Sequence, residues 1–271
     1  MFVCPKCRGK LNISANGGAV CDSRHSFDRS REGYYNLLLG AGSGVHGDNA
    51  EMINARREFL SRGFYRPLAE RIAELACELA PSVLSLLDAG CGEGYYTEIL
   101  YSAYAMRGAH PELHAFDISK AAVKRAVKRI PKGNFAVASS YDVPLEDNSI
   151  DLLLNTFSPL ALEESKRVLK TGGVFIMAIP AEDHLFELKA KIYDEPYKNQ
   201  VADTHLDGFE LIKRDSLRYL MNFENESDIR SLFMMTPYAY RTGAVGRDRV
   251  LSLKKLDCTA DFLILVYRKT A

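Results

Sequence analysis

Cys4, Cys7, Cys21 and His25 have the residue types and the spacing of a metal site, Cys-x2-Cys-x13-Cys-x3-His. Two thiolates from one short turn, with a thiolate and an imidazole from another, close a tetrahedron around Zn2+ and leave no position for water. Such a site is structural, and a core this small would draw much of its stability from the metal. Between the two pairs, Asn16-Gly17-Gly18 predicts a hairpin turn joining short strands at 11–13 and 19–20. Residues 1–35 carry Lys6, Arg8, Lys10, Arg24, Arg29 and Arg31 against Asp22, Asp28 and Glu32. That excess suits contact with nucleic-acid phosphates, with a purely structural cap as the alternative.

A second constellation, Asp88-Ala89-Gly90-Cys91-Gly92-Glu93-Gly94, directly follows the apolar run 83–87. Its glycines let the backbone turn tightly and approach a ligand at the start of a helix. The next apolar run, 113–116, ends at Asp117, about twenty residues further on, where one carboxylate can take both hydroxyls of a ribose. The loop resembles that of S-adenosylmethionine-dependent methyltransferases, which bind an amino acid and a nucleoside there. On that reading Asp88, Gly90, Gly92, Glu93, Gly94, Asp117, Ile118 and Ser140 hold the cofactor. Asn155, a polar residue ending an apolar run, can orient a planar base while Phe157 stacks on it; alternatively it satisfies loop backbone. His184 is a candidate for cofactor contact or proton transfer, though a lone loop histidine often does neither.

These residues need elements to hold them. Apolar runs at 83–87, 113–116, 135–138, 150–155 and 173–179 read as buried strands, and helical patterns alternate with them. The expected architecture is α/β: a doubly wound, Rossmann-like class I methyltransferase sheet with ligands at the carboxyl ends of its strands and a small zinc module in front. Residues 1–35 form that module, 36–66 a linker and lead-in helix, and 67–271 the methyltransferase domain. A glycine-rich stretch at 40–49 reads as a mobile loop or hinge. Helices are predicted over 51–62, ended by Gly63, and over 67–79, opened by Pro67. The pair Phe64-Tyr65 sits between them and can fold over the cofactor. The helix at 120–132 is basic, either as a solvated face or as a nucleic-acid contact. Beyond 185 the chain is polar and weakly patterned until a late strand at 261–268, placed near the sheet edge.

The chain has 271 residues, a net charge of zero and six cysteines. No apolar run approaches the roughly 20 residues of a bilayer span, so no membrane role is expected. The amino terminus has no basic segment followed by an apolar one, and a cytoplasmic address is expected.

Taken together the motifs resemble the bacterial large-subunit ribosomal RNA guanine-N1 methyltransferases. The zinc knuckle is followed by His25-Ser26-Phe27-Asp28, Glu32-Gly33-Tyr34, Asn36-Leu37-Leu38, Gly47-Asp48 and Ala55-Arg56-Arg57-Glu58-Phe59-Leu60, then by the glycine loop with Tyr95-Tyr96. The similarity continues through Ala138-Ser139-Ser140, Lys170-Thr171-Gly172-Gly173, His184-Leu185, Glu187-Leu188-Lys189 and Met235-Thr236-Pro237, and so spans nearly the whole chain. The resemblance implies methylation of one guanine N1 in a 23S rRNA hairpin near the peptide exit tunnel, with the zinc module on the RNA and the protein a homodimer. It also implies that Tyr65, Gly92, Glu93 and His184 contact the cofactor. Where some relatives carry an Ala-Pro-Cys run, this chain has Phe157-Ser158-Pro159, so the resemblance does not carry over the substrate-side contacts or which of two neighbouring guanines is modified. The stretch 44–48 points toward the Gram-positive subgroup, whose members can confer macrolide resistance. Guanine N1 is protonated at neutral pH, so a proton must leave; Asp142, Asp151 and His184 are the candidate acceptors, with water as the alternative. Two other readings stand beside this one: a small-molecule methyltransferase, and a zinc-dependent RNA-binding protein that senses the cofactor without catalysis.

Overall fold

A computed structural model of the chain describes residues 2–14, 17–40, 49–201 and 203–270. Apart from its two end residues the expected loop at 40–49, with the family-like stretch 44–48 inside it, lies outside the described residues, as does Asn16.

The amino-terminal segment folds as foreseen around its turn. β1 (Asn12–Ile13), β2 (Ala19–Val20) and β3 (Ser26–Phe27) form a small antiparallel sheet in which Ile13 faces Ala19. β4 (Tyr34–Asn36) then leaves that sheet and adds itself, parallel, to β7 (Asn134–Val137) of the main one.

The main sheet has eight strands in the order β10-β11-β9-β8-β5-β6-β7-β4. Its centre is β5 (Ser85–Ala89), β6 (Glu112–Asp117), β8 (Ile150–Thr156) and β9 (Leu169–Pro180), all parallel. β10 (Phe209–Phe223) and β11 (Leu256–Lys269) form a long antiparallel pair at one edge. The late strand therefore lies one place in from the edge, and the edge itself is β10, which the sequence reading left unpatterned. Glu210, Lys213, Arg214 and Arg218 are exposed along β10, and such charges on an edge strand discourage further pairing; only its second half alternates, Leu217, Tyr219, Met221 and Phe223 being more buried than Arg218, Leu220 and Asn222.

Helices cover the sheet: α1 (Ala50–Ser61), α2 (Arg66–Leu79), α3 (Tyr95–Met106), α4 (Lys120–Arg129), α5 (Leu162–Val168) and α6 (Phe186–Ile192), then α7 (Glu226–Met234), α8 (Tyr238–Arg241) and α9 (Ala244–Leu251). Their ends follow local chemistry. Asn49 caps α1 through its side chain to the Met52 amide, and Ser119 does the same for α4 at Ala122. Gly63, at a φ of 81°, ends the first helix as expected. Alternate residues of the central strands feed two cores. Leu86, Leu113 and Leu152 join α2 and α3 in one, whereas Leu87, Phe116 and Leu153 pack in the other with Phe2, Cys4, Leu11 and Cys21. The metal module is thus part of the second core.

The basic helix α4 is neither wholly solvated nor wholly open to a partner. Lys124 pairs with Glu32 of the amino-terminal segment at 3.0 Å, Arg125 bonds Asn54 at 2.5 Å, and Arg129 holds Glu98 at 2.7 Å.

The buried Tyr104 hydroxyl lies 3.0 Å from the Ala76 carbonyl and 2.8 Å from that of Ala80, so it serves the carboxyl end of α2. Tyr104→Phe leaves those carbonyls without this donor and is expected to cost about 1–3 kcal/mol. Urea unfolding should show a lowered midpoint at an unchanged slope; an unaltered midpoint would mean the carbonyls find water.

Candidate functional site

The four amino-terminal ligands converge. Cys4 Sγ lies 3.4 Å and Cys21 Sγ 3.5 Å from His25 Nδ1, and Cys7 Sγ lies 3.6 Å from Cys21 Sγ. All four ligand atoms fall within 4.8 Å of one another. Sulfurs bound to zinc at about 2.3 Å in a tetrahedron sit roughly 3.8 Å apart, so the donor set and its size fit Zn2+. Each knuckle closes through a residue of left-handed backbone, Arg8 at a φ of 59° and Arg24 at 62°. Their amides donate to the carbonyls of Cys4 and Cys21.

At the carboxyl end of the main sheet the predicted cofactor residues also come together. β5 runs two residues further than the apolar pattern suggested, so Asp88 lies inside the strand, 2% exposed, accepting from Thr97 Oγ1 at 2.5 Å. Burial pushes its carboxyl up to about 7, against the pull of that bond. α3 begins directly after the loop, at Tyr95, with Gly94 at its amino end at a φ of 81°. Gly90, at 82°, has no room for a side chain: a Cβ there would sit 2.2 Å from Ser158 Oγ. Asp117 accepts from the Gly92 amide at 2.9 Å and the Ser119 amide at 2.7 Å, which locks the glycine loop to the end of β6. Ile118 and Ser140 stand half-buried just past β6 and β7. Glu93 is buried against Arg129 at 3.2 Å, and burial raises its carboxyl in spite of that neighbour.

Past β8 the chain is unusual. Phe157 holds a φ of 57°, rare for a bulky residue, and its side chain is 40% exposed. Aromatic rings gather around it, with Phe262 at 5.6 Å and Tyr65 and Tyr96 each at 6.1 Å. Asn155 donates from Nδ2 to the Pro159 carbonyl at 3.2 Å, but its Oδ1 is buried without a partner among the described residues. The same holds for the Tyr96 hydroxyl and Thr156 Oγ1. Buried unpaired polar atoms are costly, and Asn155 Oδ1, near the carboxyl end of β8, is one that a polar ligand can satisfy.

His184 is 6% exposed and held on both sides. Its Nδ1 accepts from the Asp261 amide at 3.3 Å, which puts the ring proton on Nε2, 3.1 Å from the Tyr65 hydroxyl. Burial drops its pKa to about 3, so it stays neutral. The other candidate acceptors lie elsewhere: Asp142 is paired with Arg8 at 2.6 Å, and Asp151, at the opposite end of the sheet, binds Lys170 at 2.7 Å. Sequence reading missed Thr97 and Phe262, and it placed Arg8 among the phosphate contacts, whereas Arg8 is paired with Asp142 at 2.6 Å. Thr97 and Phe262 look like ordinary helix and strand residues, and only the fold reveals what they face.

A glycine loop opening from a buried parallel strand onto a helix, with an acid ending the next strand, is the frame of a Rossmann-like nucleotide site, and here it is that of an S-adenosylmethionine-dependent methyltransferase. Residues 82–225 match the family model "Methyltransferase domain", and residues 2–39 match the model described as "RlmA, N-terminal". The fold is shared with the solved structure of MccD protein, at a TM-score of 0.51 and 18% identity over 75% of this chain and 98% of that one. Among curated proteins, the provisionally named 23S rRNA (guanine-N(1)-)-methyltransferase YxjB of Bacillus subtilis is 32% identical over 99% of this chain and 97% of its own length. The 23S rRNA (guanine(748)-N(1))-methyltransferase of Streptomyces fradiae is 30% identical over 83% of this chain and 80% of its own. The chain belongs to this 23S rRNA guanine-N1 methyltransferase family.

Asp88 provides a test of the site's electrostatics. Its folded-state pKa lies above the unfolded carboxyl value of 3.8, so its contribution is present below about pH 4 and is lost as pH rises through about 7. Asp88→Asn, which can still accept from Thr97, should stabilise the cofactor-free protein at pH 8 by on the order of 2–4 kcal/mol. Thermal melts should show this advantage vanish at pH 4; a uniform shift at both pH values would mean the carboxyl is not perturbed.

Proposed function

We propose that this protein transfers the methyl group of S-adenosylmethionine to N1 of a single guanine in a hairpin loop of 23S rRNA near the peptide exit tunnel. One observation carries the reading: the half-exposed Phe157 ring beside Asn155 and its unpaired Oδ1, at the mouth of the glycine loop. A planar ring next to an unpaired amide oxygen suits a nucleobase taken out of its stack. Phe157 stacks on the base, and Asn155 Oδ1 accepts from its amino edge, which fixes the direction of N1.

When bound, S-adenosylmethionine supplies the methyl group and a neutral thioether as leaving group. Asp117, together with Ile118 and Ser140, would hold its nucleoside, and Gly90, Gly92 and Gly94 would let the backbone approach its amino-acid part. Asp88 shapes the loop through Thr97, and Tyr65 and His184 form a rigid neutral pair behind the aromatic cluster. The chain's main contribution is then orientation. His184 is too weak a base, and Asp142 is held by Arg8, so the N1 proton leaves to solvent.

Exposed Lys6, Lys10, Arg24 and Arg31 of the zinc module would meet RNA phosphates, while Lys124, Arg125 and Arg129 of α4 are turned to internal partners. A homodimer and a cytoplasmic setting accompany this reading. No described helix is long and apolar enough to cross a membrane.

The test is methylation of protein-free 23S rRNA with labelled S-adenosylmethionine, followed by primer extension, which N1 methylation blocks. A single stop in the exit-tunnel hairpin is expected, and it identifies the guanine. Phe157→Ala should lower kcat/KM for RNA about tenfold to a hundredfold, the size of one lost base stack, while S-adenosylmethionine affinity stays within threefold. No label on RNA, from protein that binds both zinc and cofactor, would move the reading to small-molecule substrates.

A further inference from the structure

The turn at 138–145 joins the proposed cofactor wall to the metal module. On one side, Ala138 donates to the Asp117 carbonyl at 3.2 Å, and the half-buried Ser140, two residues on, is the proposed nucleoside contact. On the other side, the amino-terminal segment bonds this turn and the residue before it. Leu37 donates to the Val137 carbonyl at 2.9 Å and Val3 to the Pro144 carbonyl at 2.9 Å. Arg8 makes the charged contacts: Nη2 to Asp142 Oδ1 at 2.6 Å and Nη1 to the Val143 carbonyl at 2.8 Å. Ser139 and Asp142 bridge each other, so the residue that Arg8 grips closes the turn that carries Ser140.

Arg8 follows Cys7 directly and sits at the left-handed corner of the first knuckle. Its direction is therefore set by the fold of the metal site. We infer that Arg8 is a positioning residue: it transmits the order of the zinc knuckle to the 138–145 turn and so tightens S-adenosylmethionine binding, although no zinc ligand touches the cofactor. The inference rests on the reading that Ser140 flanks the cofactor. A helix neighbour shares the load, since Glu164 accepts from the Val143 amide at 2.6 Å and Arg167 donates to its carbonyl at 2.7 Å. The Arg8–Asp142 pair is also about half exposed. The expected effect is accordingly moderate and salt-sensitive.

The experiment is calorimetric titration of the full-length, zinc-loaded protein with S-adenosylmethionine, zinc content being measured on the same samples. Arg8→Ala should keep one zinc per chain and weaken binding roughly threefold to tenfold at low salt. Arg8→Lys, which can reach the carboxylate but not the carbonyl as well, should fall between. Asp142→Ala should weaken binding by less, and should add nothing when combined with Arg8→Ala. Should Arg8→Ala lose its zinc, Asp142→Ala, outside the knuckle, carries the test alone. A merely structural role predicts a lower melting temperature with Kd unchanged within twofold, and that result overturns the inference. Ser140→Tyr separates the two ways of failing. If it weakens binding while Arg8→Ala and Asp142→Ala do not, the coupling is wrong; if none of the three does, the turn is not part of the cofactor wall.

Discussion

At the carboxyl end of the sheet two loops come close to occupying the same space. Any side chain on residue 90 would meet Ser158, and that approach is what makes a site there. It brings the loop after β5 against the segment after β8, with Gly90 beside Ser158 and Phe157 next to it in the chain. The left-handed backbone of Phe157 is the other half of the constraint. It turns the chain sharply after β8, placing Ser158 against Gly90 and the phenyl ring at the mouth. Such a conformation costs on the order of 1–3 kcal/mol in a bulky residue. Here the Phe157 amide bond to the Ala178 carbonyl and the ring's contacts with Phe262 help to hold it.

The same small region collects three carboxylates, and each is kept by a different device. Asp117 has backbone amides, Asp88 a single hydroxyl, and Glu93 an arginine from α4. Asp88, with one donor and full burial, is the acid whose charge is hardest to keep.

Much of this was legible in the sequence because its causes are local. The knuckle spacing, the glycine loop and the five parallel strands each rest on a short pattern, and each lies where it was expected to within a few residues. Asp88 was misplaced only in that its strand continues through it, since a single acid at the end of an apolar run does not reveal whether its partner, Thr97, lies across a turn. β10 was missed for a different reason: its first half is dense with charge and shifts register between Leu211 and Lys213, only 217–223 alternates, and the partner lies far along the chain, Leu217 facing Phe262. The aromatic cluster was half visible. Phe157 stood out by its place after a strand, but Phe262 sits in an apolar run where every residue looks like core.

The metal module changes character once the fold is known. Alone it is a few short strands around four ligands, too small to bury a core. In the folded chain Cys4 and Cys21 are at once metal ligands and members of the core that contains Leu87 and Phe116. β4 then continues the main sheet, so the module is bound to the rest through backbone pairing as well as packing. Metal binding and the ordering of that face of the sheet must therefore be coupled, because thiolates drawn onto the ion also fix the apolar neighbours between them. The strand to which β4 pairs is β7, and the residues that follow β7 lie beside the cofactor loop. A structural ion can in this way influence a ligand it never meets, through the order of the backbone between them.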